Sequence, residues 1–241
     1  MRITFVGSSH GVPEPNRHCS CNLIEVGENI YFIDMGTMGT EAIIDRGLSM
    51  EAVKGIFVTH MHGDHTNGLP GFIELIGWYF HGCNPTVMLP REDAPDVIKS
   101  WMKLNNVNCR DEIKFGTTKS GLVYDDGTIR VTAFKTKHLE PSYSYLIEAE
   151  GKNIVFTGDL RGPDVDFPDF ACDRPIDLIV CEAAHFDATK YADVFKNKCQ
   201  EIRSVVVNHH SPWHFAEILS LRDMMAPTPV RYGMDGMEIN L

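Results

Sequence analysis

The sequence predicts an α/β fold in which two β-sheets pack face to face with helices on the outside. Three observations carry that prediction. Short apolar runs rich in β-branched and aromatic residues recur through both halves, bounded by Gly, Asp and Asn. Longer stretches with helical spacing of apolar residues lie between them in each half. The chain has 241 residues, 43% hydrophobic and 23% charged, which is ordinary globular usage for one large domain. Two β-rich halves with their own helices bury most apolar surface as sheet on sheet. No low-complexity linker separates them, so residues 1–241 read as a single domain.

In chain order, residues 2–6 form a strand and residues 7–20 an irregular loop. Residues 22–26 and 30–34 pair as a hairpin around Gly27-Glu28-Asn29. Residues 37–46 are helical, with Thr37 placed to cap and Gly47 just past the end. A buried strand over 55–59 runs into a His-rich loop. Helices over 69–80 and 93–104 flank a strand at 86–89, and Pro95 is tolerated in a first turn. In the second half, strands fall at 122–124, 128–134, 142–148 and 153–157. The turn signals Asp125-Asp126-Gly127 and Glu150-Gly151-Lys152 stand among them. Strands at 178–181 and 204–208 each lead to a helix, 188–199 and 212–225, and residues 229–232 and 237–239 are the last strands.

Lys plus Arg number 22 against 33 Asp plus Glu, a formal net charge of −11. A field of that sign opposes non-specific binding to nucleic acid and anionic lipid. No run of 18 apolar residues is present to span a membrane. The first residues lack the apolar core of a secretory signal. The 7 cysteines, odd in number and irregular in spacing, read as reduced thiols, so the expected compartment is cytoplasmic. Cys19-Ser-Cys21 alone has the spacing of a metal clip or redox pair.

The densest chemistry lies in Thr59-His60-Met61-His62-Gly63-Asp64-His65. It holds three imidazoles and a carboxylate, each a metal-ligand type. Side chains alternate along an extended strand exit, so His60 and His62 project to one side. Gly63 lets the chain turn, and Asp64 and His65 then address a second point close by. That arrangement suits two cations better than one. The i, i+4 spacing of a helical single-metal site is absent.

This segment resembles the H-x-H-x-D-H signature of the metallo-β-lactamase superfamily, and the resemblance covers nearly the whole chain. Phe32-Ile33-Asp34-Met35-Gly36 resembles the strand whose Asp and Gly support the metal site. His138 stands where the third motif's His is expected. Phe156-Thr157-Gly158-Asp159 resembles the strand-turn with a bridging Asp, and Asn208-His209-His210-Ser211-Pro212 the last ligand motif. The resemblance implies a four-layer αβ/βα sandwich, two mixed β-sheets with helices outside, and a site at one edge between the sheets. It implies a first metal held by His60, His62 and His138, and a second by Asp64, His65 and His209, with Asp159 bridging both. His209 and His210 compete for the last position; in related chains the ligand lies two residues before the Ser, which selects His209. Asp34 is expected to orient a ligand imidazole through its other nitrogen. Relatives with a di-iron redox centre usually carry Glu at the position of His62. His62 therefore favours hydrolysis with two Zn2+, with Mn2+ or Fe as alternatives.

Phe5-Val6-Gly7-Ser8-Ser9-His10-Gly11-Val12-Pro13 followed by Arg17, together with Gly68-Leu69-Pro70-Gly71, resembles the ribonuclease Z and phosphodiesterase branch. Pro13-Glu14-Pro15-Asn16-Arg17 replaces the loop of true tRNA processors, and only 20 residues separate His138 from Asp159, too few for their tRNA-gripping arm. The resemblance thus implies a phosphodiesterase-like hydrolase of a small phosphodiester or nucleotide-like substrate. Two cations sharing a water lower its pKa toward neutrality and so generate the attacking hydroxide. Asp64 is the candidate proton acceptor. Glu182-Ala183-Ala184-His185 partly resembles the branch's proton-donating pair, although there the His precedes the Glu; His185 is the candidate donor. His10, Arg17 and Ser211 are candidate substrate contacts.

The alternatives are hydrolysis of a thioester, lactone or lactam, RNA processing of the ribonuclease Z kind, and metal-dependent binding or sensing without turnover. The expected partner is a small molecule rather than extended nucleic acid or membrane, with a homodimer left open. Trp78, Tyr79 and Phe80 read as a core-facing helix surface, and His81 and His214 as surface residues.

Overall fold

The computed structural model describes residues 1–169 and 171–241 in full. The first sheet contains β1 (Arg2–Gly7), β2 (Cys21–Val26), β3 (Asn29–Met35), β4 (Val53–Phe57), β5 (Thr86–Leu89), β6 (Lys114–Thr117) and β14 (Glu238–Asn240). Its order is β14-β1-β2-β3-β4-β5-β6. The second contains β7 (Gly121–Asp125), β8 (Arg130–Lys135), β9 (Tyr143–Ala149), β10 (Lys152–Phe156), β11 (Leu178–Ala183), β12 (Val205–His210) and β13 (Val230–Tyr232). Its order is β13-β12-β11-β10-β9-β8-β7. Each sheet begins as an antiparallel meander and continues as parallel strands, from β3 in the first and from β10 in the second.

Period-two alternation divides the strand residues between layers. Tyr31 and Ile33 of β3 join Ile154 and Phe156 of β10 in a core between the sheets. Their neighbours Ile30 and Phe32 pack outward against helical Phe72, Ile76 and Met102. Val155, Val205 and Val207 of the second sheet pack outward on Tyr191, Phe195 and Leu221. Buried on both faces, the parallel strands read as continuous apolar runs. The helices are α1 (Gly39–Asp45), α2 (Gly63–Thr66), α3 (Leu69–Trp78), α4 (Ala94–Leu104), α5 (Pro163–Asp166), α6 (Tyr191–Lys198) and α7 (Phe215–Met225).

Several details depart from the sequence reading. The first helix starts at Gly39, and Thr37 does not cap it. Residues 36–38 are instead held against 64–68: a Cβ on Gly36 would lie 1.7 Å from the Asp64 carbonyl oxygen, and one on Gly68 2.3 Å from the Thr37 carbonyl carbon. The expected helices at 188–199 and 212–225 each open with a tight turn, Ala188–Lys190 and Pro212–His214. Trp78 and Tyr79 are 52% and 64% exposed rather than in the core, because α3 ends there and the chain turns outward. No helix among the described residues is long and apolar enough to cross a membrane.

Candidate metal centre

Parallel strands deliver the site residues. Asp34 lies at the end of β3, His60 just beyond β4, Asp159 just beyond β10, Glu182 in β11 and His209 in β12. Carboxyl ends of parallel strands are where side chains from several strands converge. Asp159 reaches its place because Gly158 adopts φ 57° with no side chain; a Cβ there would press to 2.9 Å from Thr59. The loop between β8 and β9 supplies His138.

Three groups of candidate ligands result: His60, His62, His138 and Asp159; Asp64, His65 and His209; and Asp159, Glu182 and His185. Within each group the ligand atoms lie within 4.8 Å of one another. Asp159 divides its carboxylate between the first two. Its Oδ2 is 3.5 Å from Nε2 of both His60 and His138. Its Oδ1 is 3.4 Å from Nε2 of both His65 and His209. His62 Nδ1 completes the first cluster, 3.0 Å from His60 Nε2 and 3.2 Å from His138 Nε2. Asp64 Oδ2 completes the second, 3.4 Å from His65 Nε2 and 3.7 Å from His209 Nε2.

The far nitrogens are tied down. His65 Nδ1 donates to Asp34 Oδ2 at 2.8 Å, and Asp34 also accepts from the Thr59 N–H at 2.7 Å. His209 Nδ1 donates to the Ser9 carbonyl at 2.9 Å. A carbonyl only accepts, so Nδ1 of His209 carries a proton, and its Nε2 faces the carboxylates of Asp64 and Asp159. A ring nitrogen against a carboxylate is favourable only when a proton or a metal cation lies between them. His65 Nε2 and Asp159 Oδ1 are both buried without a hydrogen-bond partner. Buried polar atoms of native proteins are rarely left so. Divalent cations fit this donor set of neutral imidazoles and carboxylates.

Without a metal, electrostatics keep His60 and His138 neutral and the carboxylates ionised, whereas His65, which burial alone would lower, is raised by the charges and hydrogen bonds of Asp159 and Asp34 and carries the proton that a cation would replace. Burial, aided by the charge on His65, lowers His60 to about 2, so its imidazole is neutral. Burial likewise lowers His138. Burial alone would raise Asp64, but the His65 hydrogen bond and charge outweigh it and hold the carboxyl well below the usual range. Burial is also overcome at Asp159, by the charges of His209 and His65.

His185 stands at the open side. Its Nδ1 is 2.8 Å from Glu182 Oε2, and its Nε2 lies 3.8 Å from Asp159 Oδ2. The Glu182 hydrogen bond raises His185 to about 9 despite burial. Glu182, itself buried, also accepts the Leu160, Ala184 and His185 backbone N–H groups. It therefore holds the Asp159 loop and His185 together. His210, the rival of His209, is in neither cluster; its Nε2 contacts the Gly233 carbonyl at 3.2 Å. Ser211 is buried with its hydroxyl unpartnered. His10 lies 3.3 Å from Glu14 in a loop whose Gly11 approaches Asp64. Cys19 and Cys21 are free thiols and belong to none of the three groups.

Arg17 does not offer the free guanidinium that a substrate contact needs. It is 7% exposed. Its Nε donates to Ser8 Oγ, Nη1 to Glu14 Oε2, and Nη2 to the carbonyls of Ser8 and His210. Those bonds bracket the Ser9 carbonyl and His209, so the clamp positions the His209 ring. Loss of such a positioning group costs about 10–100-fold in activity or metal affinity. Arg17→Ala is accordingly expected to lower kcat and metal content with KM little changed, and Arg17→Lys, which lacks the planar fork that reaches four acceptors, not to rescue it. Raised KM at normal kcat and full metal content would return Arg17 to the substrate.

Sequence reasoning missed the Ser9 carbonyl, the Thr59 amide and Asp235. Asp235 accepts from Ser8 N–H at 2.9 Å and His18 N–H at 2.7 Å, fixing the N-terminal loop from the far end of the chain. Backbone partners carry no residue signature, and an Asp in a Gly-rich turn reads as a turn residue.

Comparison with known proteins agrees with this geometry. A family model described as Anti-Pycsar protein Apyc1 matches residues 1–193 of the 241. The match stops short of His209. Ribonuclease Z from Crocosphaera subtropica is 30% identical over 149 residues, 61% of this chain and 47% of that protein. The chain spans about half the length of the curated relatives it matches. Human tRNase Z, short form, superposes with a TM-score of 0.78 at 22% identity, covering 100% of this chain and 99% of that one. A diphosphatase from the PhnP family gives 0.71 at 15% identity, covering 100% and 97%. The chain has the metallo-β-lactamase fold, resembles the ribonuclease Z-like branch of that superfamily, and belongs to the Anti-Pycsar protein Apyc1 family.

Proposed function

We propose that this chain is a metal-dependent hydrolase of a small phosphodiester or nucleotide-like substrate, working with two divalent cations, preferably Zn2+. The observation that carries the reading is the divided carboxylate of Asp159, one oxygen toward each His-rich cluster. His60, His62 and His138 would hold one cation and Asp64, His65 and His209 the other. When bound, the cations supply Lewis acidity toward phosphoryl oxygens and lower the pKa of a shared water. The chain's own groups do the rest. Asp34, Thr59 and the Ser9 carbonyl fix the imidazoles. Asp64, the more accessible carboxylate, accepts the proton of the attacking water. His185, held through Nδ1 by Glu182, directs Nε2 into the site and donates a proton to the leaving oxygen.

Chemistry at phosphorus is supported by the relatives named ribonuclease Z and diphosphatase. A small substrate is supported by charge and by topology. The chain carries −11, and the stretch between His138 and Asp159 is taken up by β9, a tight turn and β10. Binding an extended RNA needs several phosphate contacts with strong salt dependence.

The test compares bis-p-nitrophenyl phosphate, a thioester, a lactam and a precursor tRNA on one metal-loaded sample at low salt. Turnover of the diester well above the rest is expected. Efficient removal of a tRNA 3′ trailer would overturn the small-substrate reading, and a dominant thioester or lactam activity would overturn chemistry at phosphorus.

A further inference from the structure

A cavity of about 390 Å³ opens beside the metal clusters, lined by Lys137, His138, Leu160, Arg161 and His185. Its size falls within the range of small-ligand sites. It shares His138 and His185 with the candidate centre, so whatever fills it abuts the reacting group. Its lining contains two full cations, two imidazoles and no carboxylate. In a chain with 33 acidic against 22 basic residues, that lining is contrary to the average surface.

The two cations are exposed, and among the described residues neither side chain has an ion-pair partner. The acidic residues around them are engaged elsewhere: Glu140 pairs with Lys135, and Asp159 faces the imidazoles. Asp166 accepts from the backbone N–H of Lys137 at 2.7 Å, of Arg161 at 3.1 Å and of Gly162 at 3.1 Å. One carboxylate thus ties the loop of His138 to the loop of Asp159. The bases of both cationic side chains are fixed on the same rim while their charges stay free.

We propose that Lys137 and Arg161 form a subsite for a second anionic group of the substrate, a phosphomonoester attached near the scissile diester. The inference rests on the phosphodiester reading above and deepens it. An Arg guanidinium forks onto phosphate oxygens and a Lys ammonium adds a point charge, a pairing suited to a dianion. The attraction is local, since charges separate electrically over about 8 Å at physiological salt. A singly charged diester fills only the metal side of the site.

The experiment uses the metal-loaded full chain and two substrates, thymidine 5′-p-nitrophenyl phosphate and the same compound carrying a 3′-phosphate. The wild type is expected to prefer the 3′-phosphorylated substrate in kcat/KM by about tenfold, the scale of one good charged contact. In Lys137→Ala/Arg161→Ala that preference should fall below about twofold, and Lys137→Arg/Arg161→Lys should retain most of it. Lys103→Ala/Lys196→Ala, which removes the same net charge elsewhere, should leave the preference intact. Calorimetric binding of thymidine 3′,5′-bisphosphate against thymidine 5′-phosphate gives the same ratio without turnover. No preference in the wild type, or a preference that survives loss of both cations, overturns the subsite. Absence of turnover on both substrates would count against the phosphodiester reading, and the binding ratio would still decide the subsite.

Discussion

Asp159→Ala is expected to lower kcat/KM for a small phosphodiester by at least about 10³-fold, since the lost group serves both clusters and polarising groups at such sites are each worth about 10²–10³. Each cluster loses an oxygen 3.4–3.5 Å from two imidazole nitrogens. Metal content should fall from two cations per chain to one or fewer. Asp159→Asn should fare little better, because an amide keeps the shape and loses the charge. The fold should survive, since the cores on either side of each sheet do not include Asp159. Far-ultraviolet circular dichroism, elemental analysis and turnover on one sample check the three statements together. Normal metal content with normal turnover would reduce Asp159 to a turn residue.

Stripping the cations with a chelator is expected to abolish turnover and to lower Tm. A ligand held at about 100 Kd adds about 2.7 kcal/mol to the folded state. At this chain length each kcal/mol moves Tm by about 2–4 °C. A fall of at least about 5 °C is therefore expected, reversed by restoring Zn2+. Differential scanning calorimetry with and without chelator reads it. An unchanged Tm, with metal shown to be removed, would mean that the cations bind without preference for the folded clusters.

Much of this architecture is legible in the sequence. Buried parallel strands such as β11 and β12 open on continuous apolar runs, Leu178 to Cys181 and Val205 to Val207, too short for a helix. The His60–His65 segment was legible because its donors are adjacent in sequence. β6 was not. Lys-Phe-Gly-Thr is a half-exposed edge strand with a glycine inside, so neither alternation nor propensity marks it. It is specified by β5, against which it pairs in parallel. Arg17 shows the other failure. An arginine in a loop near a site reads as a substrate contact, and only burial and four spent donors reveal a clamp. Glu182 stands out in the sequence only beside His185, and its grip on Leu160 depends on β11 meeting the Asp159 loop in space. Resemblance alone selects His209 over His210; the structure adds a physical difference, one ring toward Asp159 and the other toward Gly233.

Two of the site residues, Asp34 at φ 60° and His209 at φ 46°, hold backbone conformations that L-residues avoid. That posture costs on the order of 1–2 kcal/mol at a non-glycine residue. Alanine scanning is therefore a poor instrument at these two positions, because alanine deletes the ligand or its support and keeps the strain. Glycine deletes the same atoms and releases it. The difference between the two variants isolates what the backbone contributes from what the side chain does. It also implies that a β-branched residue at either position would harm folding as well as chemistry, so tolerance there is set by main-chain geometry as much as by metal affinity.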